Sequence, residues 1–522
     1  MTWPFWLRSS PMFRVQDEKP TASRATARTV VRRSRFIGKG RSTGGGREEP
    51  PAEAGRQGEE RRGRGRPRQR SGGRRPRPAA GVSCRGAMAR EAHRAPRGTR
   101  DLLPEDLILI RHLERTAHRV ARSARYSEIR PPLIEETRLF ARSLGETSDV
   151  VEKEMFTVPG RGGSDSSYTL RPEGTAGAAR AYVQGGFPIR APFQKWYYLG
   201  PMFRYERPQK GRERQFTQFG VEAFGSRDPR LDAEVVDLAV RFFEALGFGS
   251  ELQVRVNTMG DEEDRGRWRE ALRAFFAPTL GERCDDCRAR FERNVFRLLD
   301  CKVAGCRERN QGAPELLGLL GSDSAAHHRA FLSALRALGR EPIEDPGIVR
   351  GLDYYTRTIF EIHYPPLGSR SALCGGGRYD GLIEEVGGPP TPAVGFAIGF
   401  SATELALGEL GLPPAADLAD LRAELGAEVY CVAITDQERE ETLALAGELR
   451  RAGLTGVELD FRGKSAKAQF KEAGRLGARF ALVLGPEERA EGVVVLRDMA
   501  ERREERIPRA EAAAALAARL GR

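Results

Sequence analysis

The chain has no long apolar run. A membrane-spanning helix needs about 20 consecutive apolar residues, and no stretch of the 522 residues approaches that. The apolar start Trp3 to Leu7 is too short for the core of a secretory signal. Cysteine is scarce, with seven residues in all, an odd number for so long a chain. That excludes the disulfide framework of a small secreted protein. Acidic residues are thin at the N-terminus, where residues 1–87 hold 22 Lys and Arg against 7 Asp and Glu, a net of +15. The whole chain carries +13, so the remainder is −2. The body is nearly neutral, and local patches rather than net charge would decide any nucleic-acid contact. The expectation is a soluble, cytoplasmic protein with room for three or four domains.

What is present begins with that basic tail. Residues 1–87 are rich in Arg, Gly and Pro and show neither helical nor strand periodicity. Such a segment buries too little apolar surface to offset chain entropy, so disorder is expected. Three readings stay open: a start codon placed ahead of Met88, a solvated tail able to bind RNA non-specifically, or an organellar targeting segment.

The most informative stretch is Lys195 to Phe224, two alternating runs around a charged loop. Strand side chains alternate between faces. Arg204 and Glu206 therefore share one face, and Phe203 and Tyr205 the other. Gln218, Gly220 and Glu222 share a face, and Phe219, Val221 and Ala223 the other. This predicts a hairpin with an apolar back and a chemically equipped front. The loop carries Arg207, Lys210, Arg212 and Arg214 against Glu213 alone, which suits an anionic ligand. Gly220 is expected to let a ligand approach the backbone. The alternative for any such pattern is a solvated hairpin with a charged outer face.

These residues resemble motif 2 of the class II aminoacyl-tRNA synthetases, in the form found in histidyl-tRNA synthetases. Tyr126 to Ile134 is similar to motif 1 of that class, and the resemblance places Pro132 at a dimer interface. Ahead of it, Pro104 opens an amphipathic helix with Leu107, Ile110, Leu113, Ala117, Val120 and Ala124 at three- and four-residue spacing. Tyr168 to Thr175 reads as a strand breaking at Pro172 and Gly174 into a helix that Thr175 could cap. The resemblance gives Glu173 and Thr175 the amino group of the substrate.

Residues 260–345 read as mostly helical, like the insertion domain of histidyl enzymes. They carry Cys284-x2-Cys287 and Cys301-x4-Cys306. Four thiolates so spaced could hold a structural zinc, or could remain reduced thiols. Ile348 to Thr356 resembles a histidyl signature. It implies that Arg350 lies at the carboxylate–phosphate junction, that Tyr354 and Tyr355 bind histidine, and that Tyr355 faces the imidazole opposite Glu222. Gly375 to Gly381 resembles a second such signature. Ala393 to Phe400 is similar to motif 3, and Gly395, Ala397 and Gly399 share a face that could seat adenine. The family's arginine after that strand is absent. Ser401-Ala402-Thr403-Glu404 stands there, and Arg212, Arg214 or Mg2+ would have to compensate.

Beyond a linker at 413–426, strand and helix alternate in 427–522, predicting a small α/β domain like the anticodon-binding domain of several class II enzymes. Gly463-Lys464-Ser465 is not a phosphate-binding loop, because Glu458 stands where the first glycine is required. The expected fold is thus α+β: an antiparallel class II sheet with flanking helices, in two parts at 88–259 and 346–412, the insertion at 260–345, and the C-terminal domain. The resemblance implies histidyl-adenylate formation from L-histidine and ATP with Mg2+, then transfer to the 3′ end of tRNA(His), in a homodimer. Arg204 would stabilise the α-phosphate, Glu206 would read the adenine, Arg212, Arg214, Gly395 and Gly399 would complete the ATP site, and Gln218 would help hold the amino group. The rival reading is a non-catalytic relative that regulates the first enzyme of histidine biosynthesis.

Overall fold

The computed structural model describes residues 93–144, 150–160, 167–299, 301–348 and 354–521. The basic tail 1–87 and Arg350, with the rest of 349–353, lie outside the described residues.

The main sheet has eight strands. In spatial order they are Ser127–Glu128, Gln194–Phe203, Gln215–Phe224, Ala393–Gly399, Ala372–Arg378, Thr356–His363, Gln253–Thr258 and Pro342–Glu344. The six inner strands are antiparallel throughout. Each outer strand pairs parallel with its neighbour, so the sheet is antiparallel only in its body. The first outer strand stops ahead of Pro131 and Pro132, as two residues lacking a ladder donor require. At the other edge, Pro342–Glu344 comes from the end of the segment expected to be a helical insertion.

One face of this sheet is the core. Tyr197, Phe219, Val221, Val394, Phe396, Phe360, Ile362 and Val256 point to it, and all are buried. Helix Pro104–Ser123 covers it with Leu113, Ala117 and Val120, and helix Pro229–Ala245 with Val235, Val236, Phe242 and Phe243. Each such side chain contributes about 1.5–3 kcal/mol by leaving water. Pro104 takes the first helical position, and Glu105 and Asp106 follow in the first turn, where acids favour the helix dipole. Helix Ser322–Ala337 adds Phe331, Leu332 and Leu335 to the same core, so it packs with the sheet rather than with the insertion.

A small antiparallel sheet joins Ile134–Glu136, Ser167–Leu170 and Phe156–Pro159. The C-terminal region holds a five-stranded sheet ordered Val457–Leu459, Val429–Ala433, Phe480–Leu484, Val493–Asp498 and Glu504–Pro508. The first three are parallel and form the expected α/β alternation. The last two add an antiparallel hairpin, followed by helix Ala512–Leu520, beyond what the sequence reading placed. Lys464 is engaged by Glu472 at 3.0 Å and, through its backbone N–H, by Asp460 at 2.6 Å.

Candidate active site

The other face of the main sheet is polar at its centre. On strand Gln215–Phe224, Gln218, Gly220 and Glu222 face this side. They pair with Gly200, Tyr198 and Trp196 on one neighbour and with Gly399, Ala397 and Gly395 on the other. Period-two alternation thus places the predicted residues together.

Gly220 does not leave room for a ligand. A Cβ there would meet the Tyr198 ring and hydroxyl at 2.3 Å, so the phenol fills the space. Gly395 likewise makes room for Glu222, whose Oε2 would lie 2.2 Å from a Cβ, and for Tyr379. Only Gly399, with nothing within 4 Å of such a Cβ, keeps the open backbone expected of an adenine seat. The sequence reading erred because residues on neighbouring strands occupy those gaps.

Glu222 is the centre of the site. It is fully buried, and the Tyr379 hydroxyl donates to its Oε2. Burial pushes its pKa up to about 8. The hydroxyls of Tyr379, Thr175 and Tyr198 work against the shift, and the nearby Glu173 carboxylate adds to it. Its Oε1 makes no hydrogen bond of good geometry among the described residues. Gln218 is also buried, and its Oε1 is likewise unpartnered among the described residues. Two unpartnered side-chain oxygens on one strand face call for hydrogen-bond partners, since buried polar atoms are normally satisfied.

Glu173 is buried, with its carboxylate accepting from the backbone N–H of Thr175 at 2.6 Å and of Ala176 at 2.9 Å. It, not Thr175, caps helix Thr175–Gln184. The cap position is Gly174, which has no side chain, so the carboxylate one residue earlier reaches the free amides. Burial raises the Glu173 pKa; the amide bonds, the Thr175 hydroxyl and the Arg204 charge oppose it. The Thr175 hydroxyl is turned inward to the two carboxylates.

Arg204 lies just past the end of its strand, half-buried, with Nε donating to Pro172 O at 2.8 Å. Glu206 accepts from Arg212 at 3.3 Å, while Arg212 is exposed. Arg214 is occupied elsewhere: it donates to Glu206 O and Arg97 O, each at 3.3 Å, and stacks 3.8 Å over the Tyr205 ring. It serves to fasten the loop. Ala402 lines a cavity of about 430 Å³ with Lys210, Gly211 and Arg212. Glu409 also lines it; of the acids on the adjoining loop and helix, Glu213 is held by Arg100 at 3.0 Å and Ser401 at 2.6 Å, and Glu404 by Arg100 at 2.5 Å.

Tyr354 and Tyr355 are buried with ring centroids 4.7 Å apart, and Tyr354 lies 5.6 Å from Tyr379. Burial raises the Tyr354 pKa well above the phenol range, with Tyr355, Glu173 and Glu222 adding to the effect. The phenol bonded to Glu222 is Tyr379. The sequence reading left Tyr198 and Tyr379 unassigned. Tyr198 was visible as the residue of the first run on the face of Glu222; Tyr379 gave no signal beyond its place in a signature.

The four cysteines of the insertion also come together, their sulfurs all within 4.8 Å of one another.

Residues 98–402 match the family model of histidyl-tRNA synthetase, and 428–519 that of the anticodon binding domain. The chain is 45% identical over 404 residues to a histidine–tRNA ligase of Desulforamulus reducens, covering 77% of this chain and 94% of that one. It is 43% identical over 415 residues to that of Bacillus cytotoxicus, covering 79% and 96%. Among solved structures, apo histidyl-tRNA synthetase of S. aureus superimposes with a TM-score of 0.67 at 34% identity, covering 81% of this chain and all of that one. A mixed sheet with an antiparallel body, an acid-and-arginine hairpin and a C-terminal anticodon-binding domain define a class II aminoacyl-tRNA synthetase. Within that class the chain belongs to the histidyl-tRNA synthetase family, and it is a histidine–tRNA ligase.

Proposed function

We propose that the chain activates L-histidine at the Glu222 pocket and passes it to tRNA(His), with the following division of labour. The histidine carboxylate oxygen attacks the α-phosphorus of ATP, and the bond to pyrophosphate breaks. The 3′-terminal ribose hydroxyl of the tRNA then attacks the carbonyl carbon of the adenylate, and AMP leaves. Glu173, Thr175 and the orphaned Gln218 Oε1 receive the substrate ammonium. Glu222, with Tyr379 behind it and Tyr354 and Tyr355 beside it, takes the imidazole. Arg204, its guanidinium plane set by Pro172 O, stabilises charge on the α-phosphate. Arg350 is assigned the second cation at that junction. Glu206 and the open backbone at Gly399 take the adenine.

The observation that carries this reading is a buried carboxyl, inside a wall of phenols, whose Oε1 has no partner among the described residues. A polar pocket of that kind favours a ring nitrogen and rejects apolar side chains, which would leave the carboxyl unpaired. Arg212, on the rim beside Ala402, is the cation that replaces the missing motif 3 arginine. Arg100 and Ser401 hold Glu213 and Glu404, and the Mg2+ ion is assigned to the incoming nucleotide. Exposed Leu133 and Ile134 beside Pro132 support a homodimer through that edge. The enzyme is assigned to the cytoplasm, and the domains to 88–259 with 346–412 for catalysis, 260–345 for the insertion and 427–522 for anticodon binding.

Histidine-dependent exchange of pyrophosphate into ATP tests the assignment. Exchange is expected with histidine and none with phenylalanine. Histidine binding without exchange would support a regulatory relative instead.

A further inference from the structure

Four cysteines converge at a point the aminoacylation reaction does not use. Cys284 and Cys287 flank the first turn of helix Asp285–Arg293; Cys301 and Cys306 flank the start of helix Ala304–Glu308. All four are free of disulfides, three are buried, and Cys284 is half-buried. Their sulfurs all lie within 4.8 Å of one another, and the Cys284 and Cys301 sulfurs are 3.8 Å apart. A tetrahedral zinc with Zn–S bonds of about 2.3 Å requires sulfur–sulfur edges of about 3.8 Å. A disulfide would need about 2.05 Å.

Packing alone gives a weaker account. Buried thiols behave as small apolar groups, but nothing in apolar packing requires four sulfurs from two separate turns to meet. Nor does it explain the amides aimed at them. The backbone N–H of Cys284 donates to the Cys306 sulfur at 3.4 Å. The amides of Cys287 and Val303 bond to the sulfurs of Cys284 and Cys301. Such N–H···S bonds offset the negative charge that thiolates bring to a metal site. The surrounding turns are pinned independently. The buried Arg283 donates to Asn310 Oδ1 at 2.8 Å and Arg309 O at 2.9 Å, and Asn310 donates to Leu298 O at 2.8 Å.

We propose that Cys284, Cys287, Cys301 and Cys306 bind one zinc ion as a closed structural site that staples residues 282–310. Four soft thiolates in tetrahedral array select zinc over hard cations, and a closed set of four leaves no position for substrate. The proposal does not depend on the assignment of the Glu222 pocket.

The test uses the full chain, purified without chelators and kept reduced. Elemental analysis is expected to give about one zinc per chain. That value should fall at least tenfold in the Cys287→Ser/Cys306→Ser double variant and stay unchanged in Cys431→Ser. Zinc exchange for cobalt should give the intense visible bands and sulfur-to-metal charge transfer of tetrahedral thiolate coordination. Substoichiometric zinc with no such cobalt spectrum overturns the proposal, as does iron in place of zinc or zinc retained by the double variant. Should that variant fail to fold, the cobalt spectrum of the unaltered chain decides.

Discussion

Glu222 and Asp232 lie on a strand and the helix that follows it and are both fully buried, yet the fold holds them in opposite ways. Asp232 meets a guanidinium. Arg378, itself wholly buried, engages both of its oxygens, through Nε at 3.2 Å and through Nη2, and Thr358 donates at 2.7 Å. Burial works against the Arg378 charge, but Asp232 and Asp380 outweigh it and its pKa is raised. His327, 3.5 Å from Asp232, is kept neutral, with its pKa pushed down to about 4 by burial and by Arg378 and Arg357. Glu222 meets hydroxyls, and among the described residues its Oε1 has no hydrogen-bond partner. A satisfied ion pair is architecture. An unsatisfied carboxyl is kept because something else satisfies it, and on the proposed reading that is the substrate ring.

The contrast can be broken from either side. Arg378→Met leaves Asp232 charged and buried without its partner, a loss of about 3–5 kcal/mol that equilibrium unfolding in urea would measure. A change under about 1 kcal/mol would show that the pair is no more than a surface bridge. Glu222→Gln should not destabilise the fold and should weaken histidine binding about 100-fold, or about 2.7 kcal/mol, read by calorimetry. It should also flatten the pH dependence of stability in the ligand-free protein. The Glu222 pKa is raised on folding, so its stabilising contribution is complete below its unfolded value and is lost as pH rises through about 8. A glutamine removes that slope. Equal damage from both substitutions would erase the distinction. Gly220→Ala probes the wall between the two regimes. Its methyl group collides with Tyr198, and displacing that ring should cost about 1–3 kcal/mol in thermal unfolding, with a parallel fall in exchange rate.

How much of this was legible beforehand differs between the two carboxylates. Alternation along one strand was enough to put Gln218 and Glu222 on a polar face. The same logic placed Phe219 and Val221 in the core, and helical spacing did so for Ile110, Leu113 and Val120. Their partners were not legible. Tyr379 lies 157 residues from Glu222 and Arg378 lies 146 from Asp232, so only strand order and register bring each pair together. The same limit explains Gly220 and Gly395. A glycine shows that space is needed, but not whether a ligand or a neighbouring phenol takes it. Arg214 shows the same limit. Its positive charge suggested phosphate, whereas the chain ahead of Pro104 supplies the carbonyl that holds it.

The smallest effect gives the sharpest separation of the two sites. Tyr379 donates to Glu222 Oε2, so a proton on the carboxyl must sit on Oε1, where the proposed reading puts the substrate ring. Carboxyl and imidazole then share one proton. Below about pH 6.5 free histidine carries a proton of its own, and binding must expel one. Above about pH 8 the unliganded Glu222 has lost its proton, and binding must take one up. Affinity should therefore peak between these values and fall about tenfold per pH unit on either side. The Tyr379 hydroxyl lowers the Glu222 pKa by bonding to the ionised form. Tyr379→Phe removes that bond, raises the pKa further and moves the upper limb to higher pH, while affinity at pH 7 changes by less than about tenfold, the worth of one hydrogen bond. The lower limb belongs to the free ligand and should not move. A shift of both limbs, or of neither, would mean that Glu222 is not the group that shares the proton.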